Sequence, residues 1–298
     1  MDILIVGSGA LATLFAARLG MAGHAVSMLG TWQLGIKVLR SSGAKLADSD
    51  GSEHAVPVLA TDDPGEVRGA RMALVLVKAW QTERAARQLA GCLAEGGLAV
   101  TLQNGIGNRE ILARELRPGR VALGVTTTGA TLLGPGLVRP GGEGILSLER
   151  NPALGPLVEA LRSASFHVET VPDAESLAWG KLVINAAINP LTALLRVPNG
   201  DLLQNPSARE LMAGLAREAA TVAVEERIHL PFTDPVQVVE EVARKTAANH
   251  SSMLQDVLRG APTEIDAICG VVARRAQKHG LTVPINETCW RLVRALTG

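Results

Sequence analysis

The stretch IVGSGALATLFAARL, residues 5–19, constrains the fold more than any other part of this chain. A short β-branched run, DILIV, leads into it, and a segment of helical composition leaves it. Gly7, Gly9 and Ala12 therefore stand at a strand–turn–helix junction, in the spacing G-x-G-x-x-A. That spacing is a variant of the dinucleotide fingerprint. The first glycine permits the tight turn and the second lets backbone approach a pyrophosphate. The third small residue allows close packing of helix on sheet. The helix N-terminus, with unpaired N–H groups and a positive dipole end, favours the anion. An ordinary glycine turn in a βα unit would also fit the residues, but the full context favours a nucleotide site.

The rest of the first half continues the alternation. HAVSML, MALVLVK (72–78), LAVTLQN (98–104), RVALGVTTTGATL, ILSLER and FHVETV read as strands, and WQTERAARQLAGCL reads as a helix. Short apolar strands separated by helices predict a mostly parallel sheet covered on both faces. From about residue 173 the texture changes to Ala/Leu/Glu/Arg segments such as ARELMAGLAREAATVAVEER (208–227), TEIDAICGVVARRAQKHG (263–280) and NETCWRLVRALTG. These have helical spacing and helix stop signals. The expected fold is α/β: a Rossmann-type doubly wound domain over 1–172, then an all-helical domain over 173–298.

Composition excludes several function classes. Lys plus Arg and Asp plus Glu number 29 each, so no charge footprint for nucleic acid or an anionic membrane is expected. Four Trp, three Phe and no Tyr leave little for base stacking. Cys92, Cys269 and Cys289 are far apart and form no metal spacing, and the six histidines form no metal motif. No metal is expected. The opening MDILIVGSGA has no basic region before an apolar stretch, and no apolar run has spanning length. A cytoplasmic globular protein is the expectation.

The segment WGKLVINAAINPLTALLRVPNG (179–200) reads as an apolar helix, yet Lys181, Asn185 and Asn189 recur every four residues on one face. Either a solvent stripe or the wall of a cleft would explain the row. Pro190 is expected to kink or end the helix. Elsewhere, Asn104 ends a predicted strand, where an Asn-Gly turn is a sufficient explanation. Ser252 and Gln255 have capping-box spacing. Glu264 falls in a predicted first helical turn, where an acid is favoured anyway. At the end of the second strand, HAVSMLGTW has no acid to bind a ribose. Gly30 and Thr31 leave room for a 2′-phosphate, which favours NADP. Lys78 offers charge for it or is simply a strand-end lysine.

These pieces together resemble the ketopantoate reductase (2-dehydropantoate 2-reductase) family. The resemblance runs through GSGALA, VKAWQT, LQNGIGN, GVTTTGATLLGPG, KLVINAAINPLTAL, SSMLQDV with TEID, and HGLTVPINET. It implies NADPH-dependent reduction of ketopantoate to pantoate, on the route to pantothenate and coenzyme A. By the resemblance, Lys181 is the catalytic general acid, and Glu264 is the acid at the active-site cleft, near the cofactor. Asn104, Asn185, Asn189, Asn199 and Ser252 are substrate contacts, Asn104 also lying near the cofactor. Gly7, Ser8, Gly9, Ala10, Leu11 and Ala12 form the pyrophosphate loop. Lys78 and Thr131 are further cofactor contacts. The implied partner is a small 2-oxo acid, held in a cleft between the domains, with a homodimer through the helical domain.

The chain departs from the family pattern at three places. Ala12 replaces a common glycine, Thr31 stands where some members carry an arginine, and TTTGA (126–130) replaces TTHGA. Other readings are a reductase of another branched 2-oxo acid, a dehydrogenase joining an amino acid to an oxo acid, and a non-catalytic NADP sensor.

Overall fold

The computed structural model describes residues 1–48 and 50–297; Gly298, the last residue of the expected helical stretch NETCWRLVRALTG, lies outside the described residues. The strands are β1 (Asp2–Val6), β2 (Ala25–Leu29), β3 (Ala44–Ala47), β4 (Glu53–Val56), β5 (Leu59–Thr61), β6 (Ala70–Val75), β7 (Leu93–Thr101), β8 (Val121–Thr126), β9 (Ala130–Gly134), β10 (Leu137–Pro140), β11 (Ile145–Glu149) and β12 (His167–Val171). The helices between them are α1 (Ala10–Met21), α2 (Gln33–Ser42), α3 (Thr82–Cys92), α4 (Asn108–Leu116) and α5 (Gly155–Ser163). Then follow α6 (Ala174–Leu195), α7 (Asp201–Gln204), α8 (Pro206–Glu225), α9 (Pro235–Lys245), α10 (Ser252–Leu258), α11 (Cys269–Lys278) and α12 (Pro284–Thr297). The chain forms two compact units. One comprises 1–103 and 108–174, the other 104–107 and 175–298.

The first unit is built on an eight-stranded sheet of order β12-β11-β8-β7-β6-β1-β2-β5. All neighbours pair parallel except β11 with β8. Burial on both faces explains the continuous apolar strands. Ile3 and Ile5 of β1 belong to one core cluster with Phe15 of α1. Leu4 and Val6 belong to another with Leu89 of α3 and Leu112 of α4. Each such buried side chain contributes roughly 2 kcal/mol of burial free energy. Strand order reverses between β1 and β6, and the carboxyl edge there is where open α/β sheets bind ligands. Gly7, just past β1, lies against the backbone of Leu76, just past β6.

Several local expectations are corrected. RVALGVTTTGATL is two strands, not one: β8 lies in the large sheet and β9 in a second, four-stranded sheet of order β4-β3-β10-β9. Lys78 and Asn104 lie three residues beyond the ends of β6 and β7. Asn104, with the rest of 104–107, belongs to the helical unit.

In that unit, α6 carries Trp179, Leu182, Val183, Ala186, Ala187 and Ile188 into the core. It does not end at Pro190 but runs through it to Leu195. A proline lacks the N–H that would bond the carbonyl four residues back. That carbonyl belongs to Ala186, and the buried Cys269 Sγ lies 3.8 Å from it as a weak donor. Burial holds the Cys269 thiol well above its ordinary pKa, so it keeps that proton. The helix stops at Arg196, whose φ of 58° is left-handed.

Two further corrections concern helix starts. The helix expected at Glu264 begins at Cys269; Glu264 precedes a short 3-10 turn over Ile265–Ala267. The cap of α10 is Ser251, whose Oγ accepts from Leu254 N–H at 3.0 Å, and Ser252 is the exposed first helical residue. Gln255 does not complete a capping box; its Nε2 donates to the His250 carbonyl. Tertiary packing, which buries one serine of the pair, decides the register. No helix among the described residues is long and apolar enough to cross a membrane.

Candidate functional site

In the first unit, α1 starts at Ala10 with Gly9 as its cap, and no side chain bonds its first amides. Helix ends leave such donors for solvent or ligand. Gly7 has φ 137°, and a Cβ there would meet Leu76 C and O at 3.2 Å. Only glycine fits. Gly9 differs: its φ of −86° suits any residue, and a Cβ there meets nothing within 4 Å. The space beside Gly9 is open, and the backbone N–H groups of the first turn have no side-chain cap. Ser8 is buried, with its Oγ 2.8 Å from where a Cβ on Gly30 would stand. Ala12 is fully buried at the helix–sheet contact, while Ala10 and Leu11 are half-buried. This cradle fits a dinucleotide pyrophosphate.

At the end of β2, Gly30 N–H bonds the Thr61 carbonyl at 3.0 Å, and the half-buried Thr31 follows. The acid nearest in strand order is Asp62, after the adjoining β5, and it accepts from Gln33 Nε2 at 2.6 Å. Lys78 is half-buried and starts a 3-10 turn over Ala79–Gln81. Thr131 is exposed on β9, at the edge of the small sheet.

In the second unit, the polar row of α6 is not a solvated stripe. Asn189 is only 6% exposed, and Lys181 and Asn185 are half-buried. Burial lowers the Lys181 ammonium pKa to about 8, while the Glu264 carboxylate acts to raise it. Glu264 is itself 5% exposed and accepts from Asn104 Nδ2 at 3.0 Å. That contact spans 160 residues of sequence. Turn chemistry builds it: Gly105 has φ 82°, and a Cβ there would stand 2.2 Å from the Ala267 carbonyl oxygen. The turn reading and the site reading of Asn104 thus coincide. The structure joins Lys181, Glu264 and Asn104 electrostatically and through a hydrogen bond, with Asn185 and Asn189 farther along the same helix.

Asn199 is engaged elsewhere. It follows the far end of α6, about 20 Å along the axis from Lys181 at 1.5 Å per residue. Its Nδ2 donates to Thr246 Oγ1 at 2.9 Å and its N–H to the Asn249 carbonyl at 3.0 Å. Its Oδ1 is buried without a partner. Two residues that the sequence did not single out, Thr192 and Ser251, pair their buried hydroxyls at 2.7 Å. The signal was there in part: Thr192 follows Asn189 by three positions and Ser251 adjoins Ser252.

Residues 3–152 match the family described as Ketopantoate reductase PanE/ApbA, and residues 173–297 match its C-terminal counterpart. The chain is 37% identical to a 2-dehydropantoate 2-reductase of Archaeoglobus fulgidus, covering 99% of this chain and 97% of that one. It superposes with a TM-score of 0.93 on a PanE/ApbA family ketopantoate reductase from Ralstonia eutropha JMP134. That protein is 31% identical, and the match covers 100% of this chain and 98% of the other. A D-mandelate dehydrogenase, in a ternary structure with NADH and anilino(oxo)acetate, shares the fold, with a TM-score of 0.92 over 100% and 98% of the two chains at 24% identity. With both halves matched and a relative above 30% identity over nearly the full length, the chain belongs to the ketopantoate reductase family.

Proposed function

We propose that this protein reduces ketopantoate to pantoate with NADPH, with Lys181 as general acid. The observation that carries the reading is a lysine with pKa near 8 set beside a buried carboxylate on an apolar helix. When bound, the nicotinamide supplies the hydride for the 2-oxo carbon. As negative charge grows on the carbonyl oxygen, the Lys181 ammonium stabilises it and gives it a proton. A pKa near the working pH suits a group that must both hold and release a proton. Glu264 keeps the ammonium charged against its burial, and Asn104 fixes Glu264. Asn185 and Asn189 offer neutral donors and acceptors for the substrate hydroxyl and carbonyl. Ser252 offers an exposed hydroxyl for the carboxylate. Asn199 has its amide bonded to Thr246, so its Oδ1 is the side-chain atom left to meet substrate.

The cradle at Gly7–Ala12 would hold the pyrophosphate, with Lys78 and Thr131 as further cofactor contacts. Gly30 and Thr31 admit a 2′-phosphate without placing a carboxylate against it, which supports NADPH over NADH. A cytoplasmic enzyme that dimerises through the helical unit completes the reading.

Steady-state reduction of ketopantoate with each cofactor tests this. Turnover with a higher kcat/KM for NADPH is expected; no turnover with either cofactor overturns it. The acid must be protonated, and burial has moved its pKa down from 10.5 to about 8. kcat/KM for reduction therefore falls as pH rises through about 8. A plateau persisting to pH 10 would remove Lys181 as the proton donor.

A further inference from the structure

Thr192 lies three residues beyond Asn189 on α6 and is fully buried; Ser251, 7% exposed, caps α10. The Thr192 hydroxyl has its own helical partners, the carbonyls of Ile188 at 3.0 Å and Asn189 at 2.9 Å. Ser251 Oγ has its own too, the Leu254 N–H at 3.0 Å. Each hydroxyl carries one proton, so the bond between them is made by the Thr192 proton or, when that proton is on a helical carbonyl, by the Ser251 proton. The shortest contact of all is the one between them, where Thr192 Oγ1 lies 2.7 Å from Ser251 Oγ. Valine would fill the Thr192 position without burying a hydroxyl. What the cross-bond adds is register between two segments 59 residues apart. One end of it is tied to the Asn189 backbone, and the other is the residue preceding Ser252.

We propose that Thr192 and Ser251 are a positioning pair that holds Ser252 in register with the Asn185–Asn189 row. The amide contacts and the carboxylate contact of one oxo acid are thereby set at a fixed spacing. This rests on the oxo-acid reading given above. Ser251, joined to Thr192 and accepting from Leu254 N–H, is a support, and Ser252 is the group left to meet substrate.

The test uses Thr192→Val, Thr192→Ser, Ser252→Ala and the Thr192→Val/Ser252→Ala double variant. The readouts are KM and kcat for ketopantoate and, by fluorescence titration, the NADPH Kd. Thr192→Val is expected to raise KM roughly tenfold, the worth of one ordinary hydrogen bond, with kcat and NADPH Kd little changed. Thr192→Ser restores KM. In the Ser252→Ala background Thr192→Val adds nothing further, because it acts through Ser252. If Thr192→Val does not fold, Ser251→Gly removes the same bond while keeping a tolerated cap, and the same KM rise is expected. Unchanged KM in the folded variant, failure of Thr192→Ser to restore it, or fully multiplying effects in the double variant overturns the pair. Wild-type turnover with any of these results leaves the oxo-acid reading standing. A wild-type enzyme inactive on ketopantoate and on a panel of 2-oxo acids overturns both.

Discussion

Replacing Lys181 by alanine is expected to lower kcat for ketopantoate by on the order of 10²–10⁴-fold, the usual worth of a positioned general acid. NADPH affinity should change little, since in this reading Lys181 meets the oxo acid and is not a cofactor contact. The variant removes two things together, a positive charge and a proton. Lys181→Arg separates them. Arginine keeps the charge but does not give up a proton in proteins. It should recover only the electrostatic part and lose the fall in rate near pH 8. Thermal unfolding of Lys181→Ala should stay close to wild type, because burial already disfavours the ammonium. A Lys181→Ala enzyme retaining more than about a tenth of the wild-type rate would remove the residue from the chemistry.

What could be read in the sequence, and what could not, follows from the range of the forces involved. The junction at Gly7–Ala12 was legible because its demands are local: a left-handed φ at Gly7 and a close helix–sheet contact at Ala12. The parallel sheet was legible because burial on both faces keeps the stretches Ile3–Val6, Met72–Val75 and Leu98–Val100 apolar. The small sheet was not. Its strands β3, β4 and β10 are four residues each, too short for a period, and its central pairing joins β3 to the distant β10. The row on α6 was legible as a shared face, but whether that face met water depended on the fold. The Asn104–Glu264 bond spans 160 residues, and nothing local announces it. The continuation of α6 through Pro190 depends on packing that sets Cys269 beside the Ala186 carbonyl. The serine pair at 251–252 shows the limit of motif reading: either hydroxyl could cap, and burial of Ser251 decided.

Gly9→Asp should move stability and cofactor binding in opposite directions. Aspartate is among the best N-cap residues, and its carboxylate suits the positive end of α1. The backbone at Gly9, φ −86° and ψ −170°, accepts it without strain, and a Cβ meets nothing within 4 Å. Replacing glycine by aspartate at a cap should therefore raise stability by a few tenths of a kcal/mol. The same carboxylate takes the α1 amides that the pyrophosphate would use and adds a repelling charge. Hydrogen bonds to charged groups are worth ~1.5–3 kcal/mol each, so NADPH Kd should rise by on the order of a hundredfold or more. Gly7→Ala provides the contrast. There the left-handed φ and the Leu76 backbone at 3.2 Å make the substitution costly to the fold itself. Thermal unfolding and fluorescence titration on the two variants separate these effects. If Gly9→Asp bound NADPH as tightly as wild type, the anion would not sit at this helix start. A Gly9→Asp protein that lost stability as well would show that Gly9 serves the turn and not the ligand.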